Sequence, residues 1–116
     1  MLLKLENPKI LSDIISIISE LVSEVKLKVD MNGMSIIAID PANVALVSFK
    51  LPASSFSALD ATSEILGISL DSLKNVLRRC STGSSLVMKT EDNTLHIEIH
   101  DKITKKFTLA LIEIDT

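Results

Sequence analysis

Aromatic side chains are nearly absent from this sequence, which contains three phenylalanines (Phe49, Phe56 and Phe107) and neither tryptophan nor tyrosine. Proteins that hold single-stranded nucleic acids usually stack the bases on exposed aromatic rings, so the composition argues against that mode of binding. Only three glycines are present, and none of them belongs to a Gly-x-Gly-x-x-Gly or phosphate-loop pattern. The sequence therefore offers no nucleotide-binding motif.

Cysteine and long apolar runs are also scarce. The single Cys80 excludes an internal disulfide and fits a reducing compartment. Polar residues interrupt the apolar stretches every few positions, so none approaches the roughly 20 residues of a transmembrane helix. The first residues lack the pattern of a signal peptide. We therefore expect a cytoplasmic protein with no membrane partner.

Positive charge is not in excess, since the formal net charge is −3. This balance argues against a generally basic nucleic-acid binder, but it allows cations that are gathered on one face. At 116 residues and 47% hydrophobic content, the chain has the size and composition of one compact domain with its own core.

What the sequence does contain is a repeated pattern of strand, amphipathic helix and three strands. In the first half the predicted elements are a strand at 2–5, a helix at 8–24 and strands near 26–30, 34–39 and 44–50. In the second half they are a strand at 65–68, a helix at 71–80 and strands near 85–90, 94–100 and 106–114. The hairpin signals Asn32-Gly33 and Asp92-Asn93 lie 60 residues apart, so the register of the two halves is nearly constant.

One β-α-β-β-β unit cannot cover both its helix and its sheet, so two units are expected to share a core. The predicted fold class is α+β: a single domain over residues 1–116, with two helices packed on antiparallel sheets. Its internal repeats span roughly 1–52 and 63–116. The polar segment 52–64 is predicted to be a surface crossover between them.

The first helix is predicted to start at Asn7-Pro8, with Asn7 as the cap. Six residues at helical spacing are predicted to form its buried stripe: Ile10, Ile14, Ile17, Ile18, Leu21 and Val25. Four serines form the opposite line, Ser12, Ser16, Ser19 and Ser23, with Lys9 near its start. This line is either an ordinary solvated face or a smooth surface along which something large can pass or pack.

The second helix is predicted to bury Leu73, Val76, Leu77 and Cys80. Its other face carries the densest group of cations in the chain: Lys74, Arg78 and Arg79, together with Asn75. Such a group is either a solvated helix face, with cations favoured near the C-terminus, or a surface for an anionic partner.

Two apolar strands, 44–49 and 107–114, are predicted to close the two halves. If both are sheet edges, they must be paired or covered, because an exposed apolar edge invites association with another chain. The sequence therefore predicts assembly through strand edges.

No catalytic or metal site is predicted. His96, Glu98 and His100 share one face of a strand, but the two histidine backbones are about 13 Å apart, so one tetrahedral ion cannot bind both rings. No nucleophile and base occur in a recognisable context, and Cys80 is interpreted as a packing residue. We expect no enzyme activity, no metal and no cofactor.

Several separated segments agree, in order and spacing, with one protein family. They are Leu21-Val-Ser-Glu-Val25, Gly33-Met-Ser-Ile-Ile-Ala-Ile-Asp40, Asn43-Val-Ala-Leu-Val47, Leu70-Asp-Ser-Leu-Lys-Asn-Val-Leu-Arg-Arg79 and Leu111-Ile-Glu-Ile-Asp115. Together they resemble the N-terminal domain of the proliferating cell nuclear antigen family of DNA sliding clamps, of the archaeal type.

The resemblance implies a non-catalytic ring of six such domains that encircles duplex DNA and serves as a processivity factor in replication, at the nucleoid. It implies weak, sequence-independent DNA binding by helices that line a basic hole, inside an acidic exterior. The residues implied to face DNA are Lys9, Ser12, Ser16, Ser19, Lys74, Arg78 and Arg79. Those implied at the subunit interface are Phe107, Leu109, Leu111, Val44 and Leu46.

The sequence also departs from the family pattern. The first helix and the loop 81–84 carry few cations, and family members have two such domains in one chain. Only part of the groove that binds partner peptides is expected here, formed by Ile39, Pro41, Asn43, Val44 and Leu46, so replication enzymes are candidate partners with an incomplete groove. Three alternatives remain: a ring of six copies, a protein that caps a full-length clamp at a strand edge, or the isolated first half of a two-domain clamp.

Overall fold

The computed structural model describes residues 1–39, 46–81 and 83–112. In chain order the elements are β1 (Leu2–Leu5), α1 (Lys9–Ile18), β2 (Glu24–Asp30), β3 (Gly33–Ile39), β4 (Leu46–Pro52), a 3-10 turn (Ala53–Ser55), β5 (Ala58–Asp60), β6 (Glu64–Ser69), α2 (Leu70–Leu77), β7 (Ser85–Glu91), β8 (Thr94–His100) and β9 (Thr104–Ala110). The order strand, helix, three strands thus occurs twice, and the α+β fold class is confirmed.

The two halves exchange their first strands. Sheet A has the order β5-β1-β7-β8-β9, and sheet B has the order β4-β3-β2-β6; every pairing is antiparallel. Strand β1 therefore joins the last three strands, while β6 joins the first three. Within the crossover, the short β5 pairs with β1 and extends sheet A by one strand, which the sequence pattern did not predict.

Alternation along the strands separates one shared core from two outward faces. In β8, for example, Leu95, Ile97 and Ile99 are fully buried, while the residues between them are partly exposed. The buried sides of both sheets and of both helices belong to one continuous apolar cluster. No helix in the described ranges is long and apolar enough to cross a membrane.

The two predicted hairpin turns are confirmed, and the first depends on glycine. Gly33 has φ +134°, and a Cβ at this position would lie 2.1 Å from the carbonyl oxygen of Leu51 on β4. The close approach of β3 and β4 therefore requires a residue without a side chain. In the second turn Asp92 takes φ 55°, a conformation that Asp tolerates better than most residues.

The predicted extent and buried face of the first helix were partly wrong. Helix α1 ends at Ile18 rather than at residue 24, and Asn7 Oδ1 accepts only a long 3.4 Å bond from the Lys9 amide. Its buried residues are Leu11, Ile15 and Ile18. Three members of the predicted stripe are exposed: Ile10 (54%), Ile17 (60%) and Leu21 (59%). The sequence contains two apolar stripes offset by one residue, and the core uses the second.

The predicted buried face of α2 is confirmed for Leu73, Val76 and Leu77, which are buried together with Leu70. The helix ends at Leu77 and not at residue 80, and Cys80 is half-buried just after it. Burial raises the pKa of the Cys80 thiol. A raised pKa keeps this thiol protonated and weakly nucleophilic at neutral pH.

Both predicted sheet edges are confirmed, because β4 is an outer strand of sheet B and β9 an outer strand of sheet A; the opposite edges are β6 and the short β5. Strand β9 ends at Ala110, earlier than predicted. The amide of Leu111 donates to the Asn93 carbonyl (2.9 Å), and the amide of Ile112 donates to the Gly67 carbonyl on β6 (2.9 Å). The chain thus leaves sheet A and runs onto sheet B; residues 113 and 114 of the predicted strand lie outside the described ranges.

Candidate nucleic-acid and assembly interface

Helix α2 presents a basic outer face. Lys74 and Arg78 are four residues apart and therefore neighbours on the helix surface, with Asn75 beside them. Arg78 is exposed and Lys74 half-buried, and no acidic group within the described residues lies within 4.0 Å of either side chain. Both charges are available to an anionic partner, and Asp71 in the first turn is the only acid of this helix.

Arg79 is exposed and lines a cavity of about 330 Å³ together with Asn75 and Arg78, and it also contacts the edge of sheet A. Its guanidinium carbon is 5.4 Å from the centroid of the Phe107 ring on β9, a cation–π contact. A residue next to Arg78 is rotated by about 100° around the helix axis, which carries Arg79 toward the sheet edge. Arg79 and Phe107 together link α2 to the edge of sheet A.

Helix α1 is electrically neutral along the surface that was predicted to face DNA. The Lys9 ammonium lies 3.7 Å from Asp13 Oδ1 in an exposed i,i+4 pair. Ser12, Ser16 and Ser19 are half-buried, and the Ser19 hydroxyl donates to the Ser16 carbonyl at 2.8 Å.

The serine line begins at a cleft between the two helices. Lys9, Ser12 and Asp13 of α1 line this cleft of about 660 Å³ together with Cys80 and Ser81, which follow α2. The start of α1 therefore lies beside the end of α2. The half-burial of Ser12 follows from this neighbour, so the line is not a fully solvated face.

The exposed apolar flank of α1 consists of Ile10, Ile17 and Leu21. Ile10 lines a groove of about 240 Å³ whose walls include Leu51 of β4 and Ser55 of the adjoining turn. The flank therefore meets the open edge of sheet B at Ile10, while Ile17 and Leu21 lie farther along and just beyond the helix. Exposed apolar side chains on one side of a helix favour an interaction surface, because they gain by being removed from water.

A polar network that the sequence analysis missed holds the loop after α2. Ser84 is 1% exposed, and its hydroxyl donates to Asp101 Oδ2 (3.2 Å) while accepting from the Ser81 amide (3.0 Å). The Ile103 amide donates to Asp101 Oδ1 (2.9 Å), and this bond is the main cause that lowers the pKa of the Asp101 carboxyl. The Asp-x-Ile turn was visible in the sequence, but its pairing with Ser84 depends on the fold.

The histidine face of β8 is divided among different partners. His96 contacts the hydroxyl of Thr108 (3.2 Å) and lies 3.7 Å from Glu91, whereas His100 contacts Thr104 (3.4 Å) and lies 3.5 Å from Glu98. Within the described ranges, no three acidic, histidine or cysteine residues form a group that could hold a metal ion.

The remaining residues of the implied interface are described only in part. Phe107, Leu109 and Leu111 are half-buried against the core along and just after β9. Ile39 and Leu46 are paired residues of β3 and β4, but their side chains lie outside the described part. Pro41, Asn43 and Val44 lie outside the described residues altogether, so the partial groove stays a prediction.

The outward faces of the sheets carry charges of both signs. Six of the twelve cations point away from the helices: Lys4, Lys89 and Lys106 on sheet A and Lys26, Lys28 and Lys50 on sheet B. Glu24, Asp30, Glu91 and Glu98 stand on the same faces, so the acidic exterior stays a prediction. Positive charge is thus divided between α2 and the outer surface.

Comparison with known proteins agrees with this architecture. Residues 1–116 match the family described as proliferating cell nuclear antigen, N-terminal domain. The chain is 40% identical over 93 residues to a DNA polymerase sliding clamp of Picrophilus torridus, covering 78% of this chain and 38% of the relative. It is 36% identical over 112 residues to a DNA polymerase sliding clamp of Pyrococcus abyssi, covering 95% of this chain and 45% of the relative.

A solved structure shares the whole fold. The crystal structure of the PCNA2–PCNA3 complex from Sulfolobus tokodaii superposes with a TM-score of 0.91 at 26% identity, covering 100% of this chain and 49% of the other. This chain spans about half the length, or less, of the relatives that it matches. With the family profile matched over every residue, the chain belongs to the proliferating cell nuclear antigen family of sliding clamps, as a domain of the N-terminal type.

Proposed function

We propose that this domain is a non-catalytic component of a ring that encircles duplex DNA and acts as a processivity factor in replication. The observation that carries the proposal is that each sheet ends in an open strand accompanied by a helix: β4 beside the flank of α1, and β9 beside α2. Two different unpaired edge strands on one domain support head-to-tail association. Such an assembly closes into a ring when the rotation from one subunit to the next permits it.

The assembly contact would join β9 of one domain to a β4-type edge of the next. Phe107 and Leu109 are half-buried on β9, so part of each side chain remains exposed and would be covered by the neighbouring domain. On the receiving side, the flank of Ile10, Ile17 and Leu21 continues the apolar surface from β4 onto α1. Backbone pairing of the edges and burial of the flank would reinforce each other.

Contact with DNA would come chiefly from α2. Lys74 and Arg78 supply two positive charges without an acidic partner, and cations paired with phosphates give sequence-independent attraction. Helix α1 would add a neutral surface, because Lys9 is already paired with Asp13. Weak contact of this kind suits a ring that must move along the duplex.

The relatives named DNA polymerase sliding clamp support polymerases and other replication enzymes as the proteins that this component would tether. The described residues contain no nucleophile–base arrangement, and Cys80 is half-buried with a raised pKa. We therefore infer that the domain is a scaffold and not an enzyme, and that it acts at the nucleoid.

The test is the absolute mass of the 116-residue chain in solution, alone and mixed with a two-domain clamp, by size exclusion with light scattering. We expect concentration-dependent association, up to about six times the 12.6 kDa chain mass if the ring closes by itself. Phe107→Asp should abolish it. Thr108→Asp places the same charge on the outward face of the same strand and should leave it intact.

The mixed sample separates the alternatives. A chain that is monomeric alone but binds the two-domain clamp is a capping subunit or one half of a longer clamp chain. A chain that stays monomeric in both samples, at every concentration, overturns the proposed ring component.

A further inference from the structure

We propose that the outward face of sheet B is a docking site for a short, extended, acidic segment of a partner protein. The face is built around Lys26 and Lys28 of β2 and Lys50 of β4, and we call these three residues the lysine triangle. It lies on the outer surface, away from the helix side that would meet DNA, and one of its members, Lys50, belongs to the edge strand β4.

The registers of the strands place the three lysines on both sides of β3, where Ser35 and Ile37 form a lower part of the surface. Lys28 and Lys50 are both paired with Ser35 of β3, one on each side, while Lys26 is paired with Ile37. Strands are about 4.8 Å apart, so the lysines of β2 stand roughly 10 Å from Lys50 across β3. The short Ser35 and the half-buried Ile37 leave room between them for one extended chain.

The spacing along β2 fits an extended peptide. Lys26 and Lys28 are two residues apart on the same face, about 6.6 Å, and acidic side chains at alternating positions of a strand have the same separation. Within the described residues, none of the three lysines has an acidic group within 4.0 Å. Their charges are therefore available to a ligand.

The charges at the ends of the triangle favour a short acidic segment over a continuous polyanion. Glu24 and Asp30 lie on the same face of β2, on either side of the lysine pair, and Asp30 is fixed by a 2.8 Å bond from the Asn32 amide. DNA that ran along β2 would meet a carboxylate at each end. A peptide with its acids confined to the middle would meet only lysines there.

An exposed apolar residue lies next to the triangle but outside the path of the ligand. Ile65 of β6 is 65% exposed and paired with Lys28 in the same row, on the side of β2 that faces away from β3. The residues that alternate with the acids of an extended ligand point away from the sheet, so the acids make the contact.

Sheet A provides the matched contrast. Its outward face also carries three lysines, but Glu98 stands in the middle, directly opposite Lys106, and Lys4 is 3.5 Å from Glu6. Carboxylates inside the group cancel the field that an acidic ligand would meet. Equal numbers of lysines on the two sheets therefore make the sheet A face a control.

The experiment measures binding of a fluorescent peptide, Val-Glu-Val-Glu-Val with Gly-Ser at both ends, by anisotropy at low and physiological salt. Lys26→Gln/Lys28→Gln/Lys50→Gln should weaken binding at least about tenfold, as expected when several charged groups that meet the ligand are neutralised together. Lys4→Gln/Lys89→Gln/Lys106→Gln should change it less than about twofold. Denaturant unfolding of both variants checks that the fold is intact.

Three results would overturn the proposal. They are equal reductions of affinity in the two triple variants, no saturable binding of the peptide, and a short DNA duplex that competes for the triangle more strongly than the peptide does. A further control, Ile65→Ser, changes a residue beside the triangle but outside the path of the ligand, and we expect it to leave the affinity for the peptide unchanged.

Discussion

The two halves of the domain are alike where they face each other and different where they face outward. Ile15 of α1 and Leu73 of α2 are both fully buried in the shared core. On the outward side, α1 shows Ile10 and Ile17, whereas α2 shows Lys74 and Arg78. Burial constrains both helices in the same way. The outer surfaces are free to diverge. Under the proposed function, the apolar surface of α1 would serve protein contact and the basic surface of α2 would serve DNA contact.

The largest expected effect tests the shared side of this comparison. Ile15→Ala and Leu73→Ala should each lower the free energy of unfolding by about 2–5 kcal/mol, because each leaves a cavity in the same core. Chemical denaturation measures both. Ile17→Ala, on the exposed flank, should cost less than about 0.5 kcal/mol in the unassembled chain. A large cost at Ile17 and a small one at Ile15 would reverse our assignment of the buried stripe.

The next effect compares one glycine in each half. Gly33→Ala should destabilise strongly, since φ +134° alone costs about 1–3 kcal/mol and the new Cβ would also collide with the Leu51 carbonyl. Gly83 also has a positive φ (+91°), but a Cβ added there would lie in open space. Gly83→Ala should therefore carry only the conformational cost. Unfolding free energies of the two variants should therefore differ; equal values would mean that β4 moves away freely.

A smaller effect concerns the outward divergence of the helices. Arg78→Ala should weaken binding of the assembled protein to duplex DNA, and it should reduce the slope of log K against log salt by about 0.9 for each phosphate that is no longer neutralised. Lys9→Ala removes a cation that already pairs with Asp13, and we expect almost no change in the slope. The same slope change from both variants would show that α1 and α2 share the DNA surface equally.

The smallest effect is a pH dependence in the second half. The pKa of Asp101 is lowered from its usual 3.8, chiefly by the bond from the Ile103 amide, so this carboxylate stabilises the fold above that value. The contribution disappears as the pH falls through the lowered pKa. The free energies of unfolding of the wild type and of Asp101→Asn should therefore differ by a constant amount from pH 7 to about 5. In stronger acid the two values should converge.

Ser84→Ala is the control for this prediction, because it leaves the Ile103 bond to Asp101 in place and removes the bonds of the Ser84 hydroxyl to Asp101 and to Ser81. It should keep most of the acid dependence. If Ser84→Ala abolishes the dependence and Asp101→Asn does not, the cause that we assign is wrong.

The presence and order of the helices and hairpins were predictable because each depends on local pattern, whereas the length and the buried face of α1 were not. The strand alternation of β8 and the turns at Gly33 and Asp92 correspond closely to the structure. The exchange of β1 and β6 between the sheets was not predictable, since nothing local distinguishes the two possible partners of a short apolar strand.

The face of α1 shows why the candidate site was harder to predict. Ile10, Ile14, Ile17 and Leu21 repeat at helical spacing, but so do the residues one position later, Leu11, Ile15, Ile18 and Val22. Periodicity alone cannot decide which stripe meets the core of its own domain when the other one remains exposed for a further contact. The contact of Arg79 with Phe107 likewise could not be predicted, because the two residues are distant in sequence.

The exchange of first strands also determines how the molecule should respond to a cut. A protease that cleaves in the exposed turn at Ser54 or Ser55 severs the covalent link between the halves. Each fragment nevertheless remains hydrogen-bonded into a sheet made mostly of the other, through β1 with β7 and through β6 with β2. The nicked protein should stay folded as a two-chain complex, and neither fragment should have a complete sheet when it is alone.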